Sequence, residues 1–400
     1  MNKKNILYCE GNIDGTIGGS YYSLFYLVDG LDKSLYKPIV IFYTHNDLIP
    51  AFEKAGIEVR VFDLPKPFTM VKKHHAGVNV LLMPLALVQK AINYYRFFIW
   101  QGIKYAFFLK RYRIDLVHLN NTILRGHNWI LAAKIVGARC VSHERGINTR
   151  IPKMAKYFGN KLDAIICISG AVNENLQARG FKPDKLVTIH NGLDPARVVV
   201  ENKGSIVKRN LKITDDAPVI GIVGNIREWK GQHVVIEAVS LIRKFYPNIK
   251  CLLVGDSCER DKVYRDRIDK IIVDKALTEN IVFTGYQRNV ADYVNIMDVV
   301  IHASILPEPF GRVLIEAMAL SKPLIGSRGG AVPEIIEEGV TGLMFEPGNI
   351  DELAMKIQEL LDNRDRAAKM GKAGLQRLNE KFHIKANVAQ TEILYKKLLS

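Results

Sequence analysis

The sequence predicts an α/β protein made of two parallel-sheet domains, and three observations lead there. Its 400 residues exceed what one hydrophobic core usually organises. Short apolar runs alternate with helix-like stretches along nearly the whole length, the rhythm of a buried parallel sheet covered by helices. That rhythm pauses once, in a polar stretch at Asp194–Ala217 that reads as a linker.

In the first half, Ile6–Cys9 reads as a strand, followed by a glycine turn (Gly15, Gly18, Gly19) and a helix over Ser20–Leu31. Pro38–Tyr43 and Val59–Phe62 read as strands around a helical Asp47–Ala55. Leu116–Leu119, Arg139–Ser142, Ala164–Ile168 and Leu186–Ile189 complete the set. After the linker, Val219–Val223, Lys250–Val254, Asn280–Thr284, Asp298–Ala303 and Pro323–Ser327 read as strands, and a helix closes the chain at about Asn387–Leu399. The expected domains are residues 1–195 and 196–381, with the segment 382–400 packing back on the first. Ligands of open parallel sheets sit beyond the carboxyl ends of the strands. Two such Rossmann-like domains therefore predict a site in a central cleft.

An apolar share of 48% and a charged share of 24% exclude a disordered chain. The net charge of +15 fits an anionic partner: nucleic acid, an anionic membrane face or a phosphate-bearing substrate. Five cysteines, with no CxxC pair and several inside apolar runs, predict buried free thiols in a reducing compartment rather than a zinc site. Lys3 and Lys4 could begin a signal peptide, but Ile6–Cys9 is too short to continue one. No run of apolar residues is long enough to span a membrane; the nearest, Val78–Val88, is interrupted by Pro84.

The densest chemical signal is DVVIHASILPEPFGRVLIEAMALSKPLIGS. A strand ends at Ala303, a proline-bearing loop follows, and a helix begins near Phe310–Gly311. Gly311 permits close backbone approach, and the first helical turn offers N–H groups and partial positive charge to a phosphate or a sugar hydroxyl. Glu308 precedes the helix. Glu316 lies within it and leans toward its N-terminus, where it could accept hydrogen bonds from a diol. Glutamates eight apart also arise by chance as solvated charges. A second glycine-rich turn follows at Arg328–Glu334.

In VIGIVGNIREWKGQHVVIEAV, Arg227 and Lys230 occupy a loop and Gly231 opens a helix. Two cations there suit a diphosphate, though a solvated pair is the plain alternative. Gly18 and Gly19 either approach a ligand or only make a tight turn. His143 stands at a strand's carboxyl end, where a site is expected; a lone histidine is also often structural. His118 is a weaker candidate of the same kind.

These motifs, together with GVTGLMFEPGN, resemble retaining glycosyltransferases of family 4, which have the glycosyltransferase-B fold of two Rossmann-like domains. The resemblance runs from about Gly18 to the C-terminus and is densest over Gly221–Asn349. It implies that Glu308 faces the donor sugar and that the backbone amides of Phe310, Gly311, Arg312 and Val313 hold sugar and phosphate. It further implies that Glu316 binds the ribose, Arg227 and Lys230 the diphosphate, and that the Gly18–Gly19 loop lies near donor and acceptor. His143, followed by an acid as in the family, would sit beside the transferred sugar. The family usually has arginine directly after the glycine, where this chain has Asn225; Lys230 fits better than Arg227. His190-Asn191-Gly192-Leu193-Asp194 resembles the family's turn into the hinge and reads as mainly structural.

The implied reaction moves a hexose or N-acetylhexosamine from a UDP- or GDP-sugar, with retention, to an acceptor such as a lipid-linked or polysaccharide glycan. No metal and no cofactor are expected, the nucleotide sugar being a substrate with UDP preferred over GDP, and no nucleic-acid partner is expected. The rivals are an epimerase or phosphorylase of the same fold, or a noncatalytic basic protein binding membrane or nucleic acid. Residues 64–114 carry Lys66, Lys72, Lys73, Lys90, Arg96, Lys104, Lys110, Arg111 and Arg113, interleaved aromatics, and no acid. They fit either an anionic membrane interface or a buried helix pair with a charged outer face. The expected location is the cytoplasm, either free or on the cytoplasmic face of the membrane.

Overall fold

The computed structural model describes residues 3–12, 18–71, 82–121 and 123–400. Gly15, Lys72, Lys73 and residues 78–81 of the apolar run lie outside these. The chain divides into two compact units, one of Met1–Ile168, Val172–Ile189 and Val388–Ser400, the other of Ser169–Ala171 and His190–Asn387.

The first unit holds a seven-stranded sheet of β1 (Lys4–Glu10), β2 (Tyr36–Phe42), β3 (Glu58–Val61), β4 (Leu116–Asn121), β5 (Arg139–Glu144), β6 (Ala164–Cys167) and β7 (Leu186–Thr188). Their order is β3-β2-β1-β4-β5-β6-β7, and every pairing is parallel. The second unit holds β8 (Val219–Val223), β9 (Lys250–Val254), β10 (Ile281–Gly285), β11 (Val299–His302), β12 (Leu324–Ser327) and β13 (Gly342–Phe345), in the parallel order β10-β9-β8-β11-β12-β13. Strands such as VIGIV and KCLLV are buried on both faces, so they read as unbroken apolar runs rather than alternating ones. Each sheet reverses its strand order once, between β1 and β4 and between β8 and β11. The loops leaving those strands are where a ligand of each unit is expected.

Within the first unit, the closing helix Ile384–Leu399 packs from Val388 onward. A Cβ on Gly30 would come within 2.8 Å of Val388 Cγ2, and the buried Tyr395 hydroxyl lies 3.0 Å from that of Tyr8.

Four expectations are corrected. The stretch Asp194–Ala217 is not simply a linker. Asp194 caps a short turn at Pro195–Arg197, and Gly204–Asn210 is a helix anchored by the buried Val207. The strand β13 was hidden inside GLMF, too short and glycine-led to read as one. Four cysteines are buried, but Cys258 is exposed. Finally, residues 64–114 fit neither alternative throughout. Helix Gln101–Arg111 is a packed one, with Tyr105 stacked on Trp129 at 3.8 Å. Helix Met83–Tyr94 buries no residue at all. Pro84 starts that helix rather than breaking it, since a proline in the first turn forfeits no intrahelical hydrogen bond. Among the described residues, no helix is long and apolar enough to cross a membrane.

Candidate active site

In the second unit, the loops leaving β8 and β11 are bound to one another by backbone. Ile305 N–H donates to Trp229 O at 2.8 Å. Gly231 takes a left-handed conformation (φ +72°), and a Cβ there would lie 2.0 Å from Ala303 O. Only glycine lets the turn Glu228–Lys230 press this closely on the end of β11. Lys230 is thereby delivered to Glu308.

Glu308 is buried, and one of its oxygens, Oε2, gathers three donors. Lys230 Nζ lies at 2.7 Å, Ser304 Oγ at 3.0 Å and His302 Nε2 at 3.0 Å. Burial by itself would raise this carboxyl. The His302 hydrogen bond and charge, with Lys230 behind them, overcome it and hold the group well below the usual carboxylate range. The arrangement is braced on both sides. Ser327 Oγ donates to Ser304 O at 2.7 Å, and the Lys230 ammonium sits 4.1 Å above the Trp229 ring. His302 Nδ1 is buried with no partner among the described residues.

The second glycine-rich turn holds the backbone of the same residue, through its main-chain carbonyl. Ala331 N–H donates to Glu308 O at 2.9 Å, and a Cβ on Gly330 (φ +59°) would lie 2.2 Å from that oxygen. Gly311 caps helix Arg312–Ala319 at φ +90°, directing the chain from Glu308 into the helix. Phe310 is buried. Val313 is half-buried in the first turn beside Arg312, and the Arg312 guanidinium meets Glu316 at 3.0 Å one turn on, as the lean of a helical side chain requires.

Of the predicted donor ligands, the structure thus brings Lys230 and Glu308 together and sets Phe310, Gly311, Arg312, Val313 and Glu316 along the segment that follows. Arg227 is engaged elsewhere: its Nε meets Asp261 Oδ2 at 3.3 Å. Asp261 also accepts from the Cys258 thiol at 2.8 Å; that bond first, then the Arg227 charge, lowers its carboxyl. Sequence reasoning missed His302, Ser304 and Asp261. A histidine ending an apolar strand, HAS after DVVI, was the available signal for the first two.

His190 is structural here. Its Nε2 lies 2.7 Å from Glu334, whose two oxygens also accept the Gly170 and Ala171 N–H groups.

In the first unit, a separate polar cluster forms beyond β1, β4 and β5. Glu10 accepts from Asn120 Nδ2 at 2.5 Å and from Asn12 N–H at 3.0 Å; burial raises its carboxyl. Arg145 Nε donates to Asn120 Oδ1 at 3.0 Å, and its other arm reaches His143 Nδ1 at 3.4 Å. A guanidinium only donates, so His143 accepts through Nδ1 and carries its proton on Nε2. That Nε2–H is buried and has no partner among the described residues. Burial, then the Arg145 charge, pushes the His143 imidazole well below its ordinary range, so it is neutral. His118 Nδ1 lies 2.5 Å from the Tyr395 hydroxyl, and burial followed by Arg145 lowers its imidazole to about 3. Gly18 has an extended backbone (φ −130°), and among the described residues nothing lies within 4 Å of where its Cβ would be. No left-handed turn demands glycine there. Gly19 begins the first helix. Glu10, Asn120 and Arg145 went unnoticed in the sequence because polar residues ending strands carry no periodic signal.

Two family models match the chain: Glycosyl transferases group 1 over residues 205–377 and Glycosyltransferase Family 4 over residues 43–197. The chain is 26% identical over 297 residues to the N-acetyl-alpha-D-glucosaminyl L-malate synthase of Bacillus anthracis, covering 72% of this chain and 75% of that one. It is 27% identical over 231 residues to the lipopolysaccharide core biosynthesis glycosyltransferase LpsE of Rhizobium meliloti, covering 58% and 63%. Among solved structures, Anabaena HepE in complex with UDP superposes with a TM-score of 0.81 at 22% identity, over 98% of this chain and 100% of that one.

Proposed function

Since the chain belongs to glycosyltransferase family 4, with the glycosyltransferase-B fold, we propose that it transfers a hexose or N-acetylhexosamine from a nucleotide sugar to a glycan or lipid-linked acceptor with retention at the anomeric carbon. The observation that carries this is the convergence of Lys230, Ser304 and His302 on Glu308, next to the glycine-opened helix at Arg312, beyond the strands where the sheet reverses.

In this reading Lys230 offers its remaining N–H donors to the departing diphosphate. A donor aimed at developing charge is worth about 3–4 kcal/mol when deleted. Arg227 joins it after exchanging Asp261 for phosphate. The Gly311 helix end holds phosphate and sugar through the N–H groups of its first turn, and Glu316 accepts from the ribose hydroxyls. His143 donates its Nε2–H to a hydroxyl of the transferred sugar. The reaction uses neither metal nor cofactor. UDP is the nucleotide bound by HepE, which favours a UDP-sugar over a GDP-sugar here. The reading also places the protein in the cytoplasm, associated peripherally with an anionic membrane face.

The test is a thermal-stabilisation screen of UDP- and GDP-sugars, followed by turnover with and without acceptor. The expected outcome is stabilisation by one nucleotide class and acceptor-dependent release of the nucleotide. Lys230→Ala and Glu316→Ala should each remove most activity with the fold intact. Conversion of the donor without acceptor would identify an epimerase instead, and wild-type turnover in either folded variant would refute the site.

A further inference from the structure

Helix Met83–Tyr94 is amphipathic in the reverse sense for a helix in water. Its two amide side chains turn inward: Gln89 Oε1 accepts the N–H groups of Met70 (2.5 Å) and Val71 (2.7 Å), and Asn93 exchanges two hydrogen bonds of 2.8 Å with the backbone of Phe68. The opposite face carries Met83, Leu87, Val88, Ala91 and Tyr94, and Tyr95 continues it; every one of these is exposed, Leu87 by 59% and Met83 by 58%. These positions recur at three and four residues, so they form one continuous stripe. Trp100 (47%) and Phe107 (71%) extend the exposed apolar surface along the same segment. A helix whose amides are spent on its own chain, and whose aliphatic face is left to solvent, has been selected for an apolar medium on that face.

Charge identifies the medium. From Leu64 to Ile114 there is no acidic residue, while Lys66, Lys90, Lys104, Lys110, Arg111 and Arg113 are all exposed. A second copy of the chain would bring the same positive charge to the same face and be repelled. An anionic bilayer supplies both apolar chains for the stripe and negative headgroups for the flanking cations, with tyrosine and tryptophan suited to the boundary between them. We propose that helix Met83–Tyr94 is a membrane-insertion element that seats the first unit on an anionic lipid surface, its Leu87–Val88 face entering the acyl boundary. The proposal deepens the peripheral membrane association included in the proposed function and rests on that part of it alone.

The test is co-sedimentation of the full chain with vesicles of phosphatidylcholine containing about one-third phosphatidylglycerol, against vesicles of phosphatidylcholine only. The wild type should bind the anionic vesicles and not the neutral ones. Each of Lys104→Gln and Lys110→Gln should weaken binding by about fivefold. The double variant Leu87→Glu, Val88→Glu should abolish binding while keeping the wild-type melting temperature and nucleotide-sugar stabilisation. Absence of binding by the wild type, or undiminished binding by the double variant, overturns the proposal. So does sedimentation velocity showing a wild-type dimer that the double variant dissolves, with no vesicle binding. Nucleotide-sugar stabilisation is read separately, so failure of the membrane element and failure of the transferase reading give different results.

Discussion

Lowering the pH from 7 to 5 should destabilise the first unit through His118, and the structure sets the size of the effect. An ordinary histidine titrates near 6.5; burial, then the Arg145 charge, holds His118 at about 3. The folded state therefore stays neutral at this position while the unfolded chain takes up a proton. Stability falls as pH drops below 6.5 and keeps falling until the folded value is reached. Between pH 7 and pH 5 the loss is about 2 kcal/mol for His118 alone. His143, displaced in the same direction, adds to the slope; the raised carboxyl of Glu10 opposes it. The difference between wild type and His118→Asn removes the Glu10 contribution and most of the His143 one, whose shift comes first from burial and Arg145 and only then from His118. Asparagine places an amide near Nδ1, so the bond to the Tyr395 hydroxyl can persist. Trp229→Phe in both proteins leaves Trp100 and Trp129 as reporters, both in the first unit. Urea unfolding followed by tryptophan fluorescence at the two pH values then gives the comparison. His118→Asn should lose about 2 kcal/mol less than its parent on acidification. Equal losses would mean that His118 protonates within the fold, and the buried neutral assignment would be wrong.

Glu308 gives the complementary case. Its depressed carboxyl contributes stability that is present above its ordinary value of 4.5 and is lost as pH falls below it, so acid should narrow the gap between wild type and Glu308→Gln, measured by thermal unfolding. Gly330→Ala should lower the melting temperature of the second unit and the activity together, because the new Cβ would sit 2.2 Å from Glu308 O; an unchanged melting curve would show the turn to be adaptable. Ser304→Ala removes one of three donors to Glu308 and should reduce turnover by about tenfold with little effect on substrate KM. Asp261→Asn frees Arg227 and should leave KM for the nucleotide sugar equal or lower, measured by initial rates; a large increase would show that Asp261 positions Arg227 for the donor.

The sheet was legible because buried parallel strands spell continuous apolar runs: Val219–Val223 and Lys250–Val254 have the same ends in sequence and structure. GLMF was not, since four residues led by a glycine carry too little pattern, and the helix Gly204–Asn210 sat in a stretch whose charges masked the one buried side chain, Val207. The Lys230 and Glu308 positions were visible as loop residues at strand ends. That they touch depends on Gly231 and on the pairing of β8 with β11, a relation between residues 78 apart that no local pattern encodes. The inverted helix at Met83 was equally hidden. Composition revealed cations and aromatics, but only the inward hydrogen bonds of Gln89 and Asn93 reveal which face meets solvent.

That same triple convergence also bears on which role Glu308 can take in the proposed reaction. A carboxylate attacking a sugar carbon, or taking a proton from an acceptor, must offer an electron-rich oxygen, and basicity is what hydrogen bonds to the charged form remove. Glu308 Oε2 accepts from a lysine, a serine and a histidine, and the carboxyl lies well below its ordinary range, so it is poorly suited to either task. What the arrangement does well is fix an ammonium. Lys230 has three N–H donors, of which Glu308 takes one, while the Trp229 ring and the Gly231 turn limit where the others point. A cation held in place before the leaving group develops its charge needs no reorganisation when the bond breaks, which is where electrostatic catalysis gains most. The buried glutamate is then best understood as the anchor of the lysine rather than as a nucleophile.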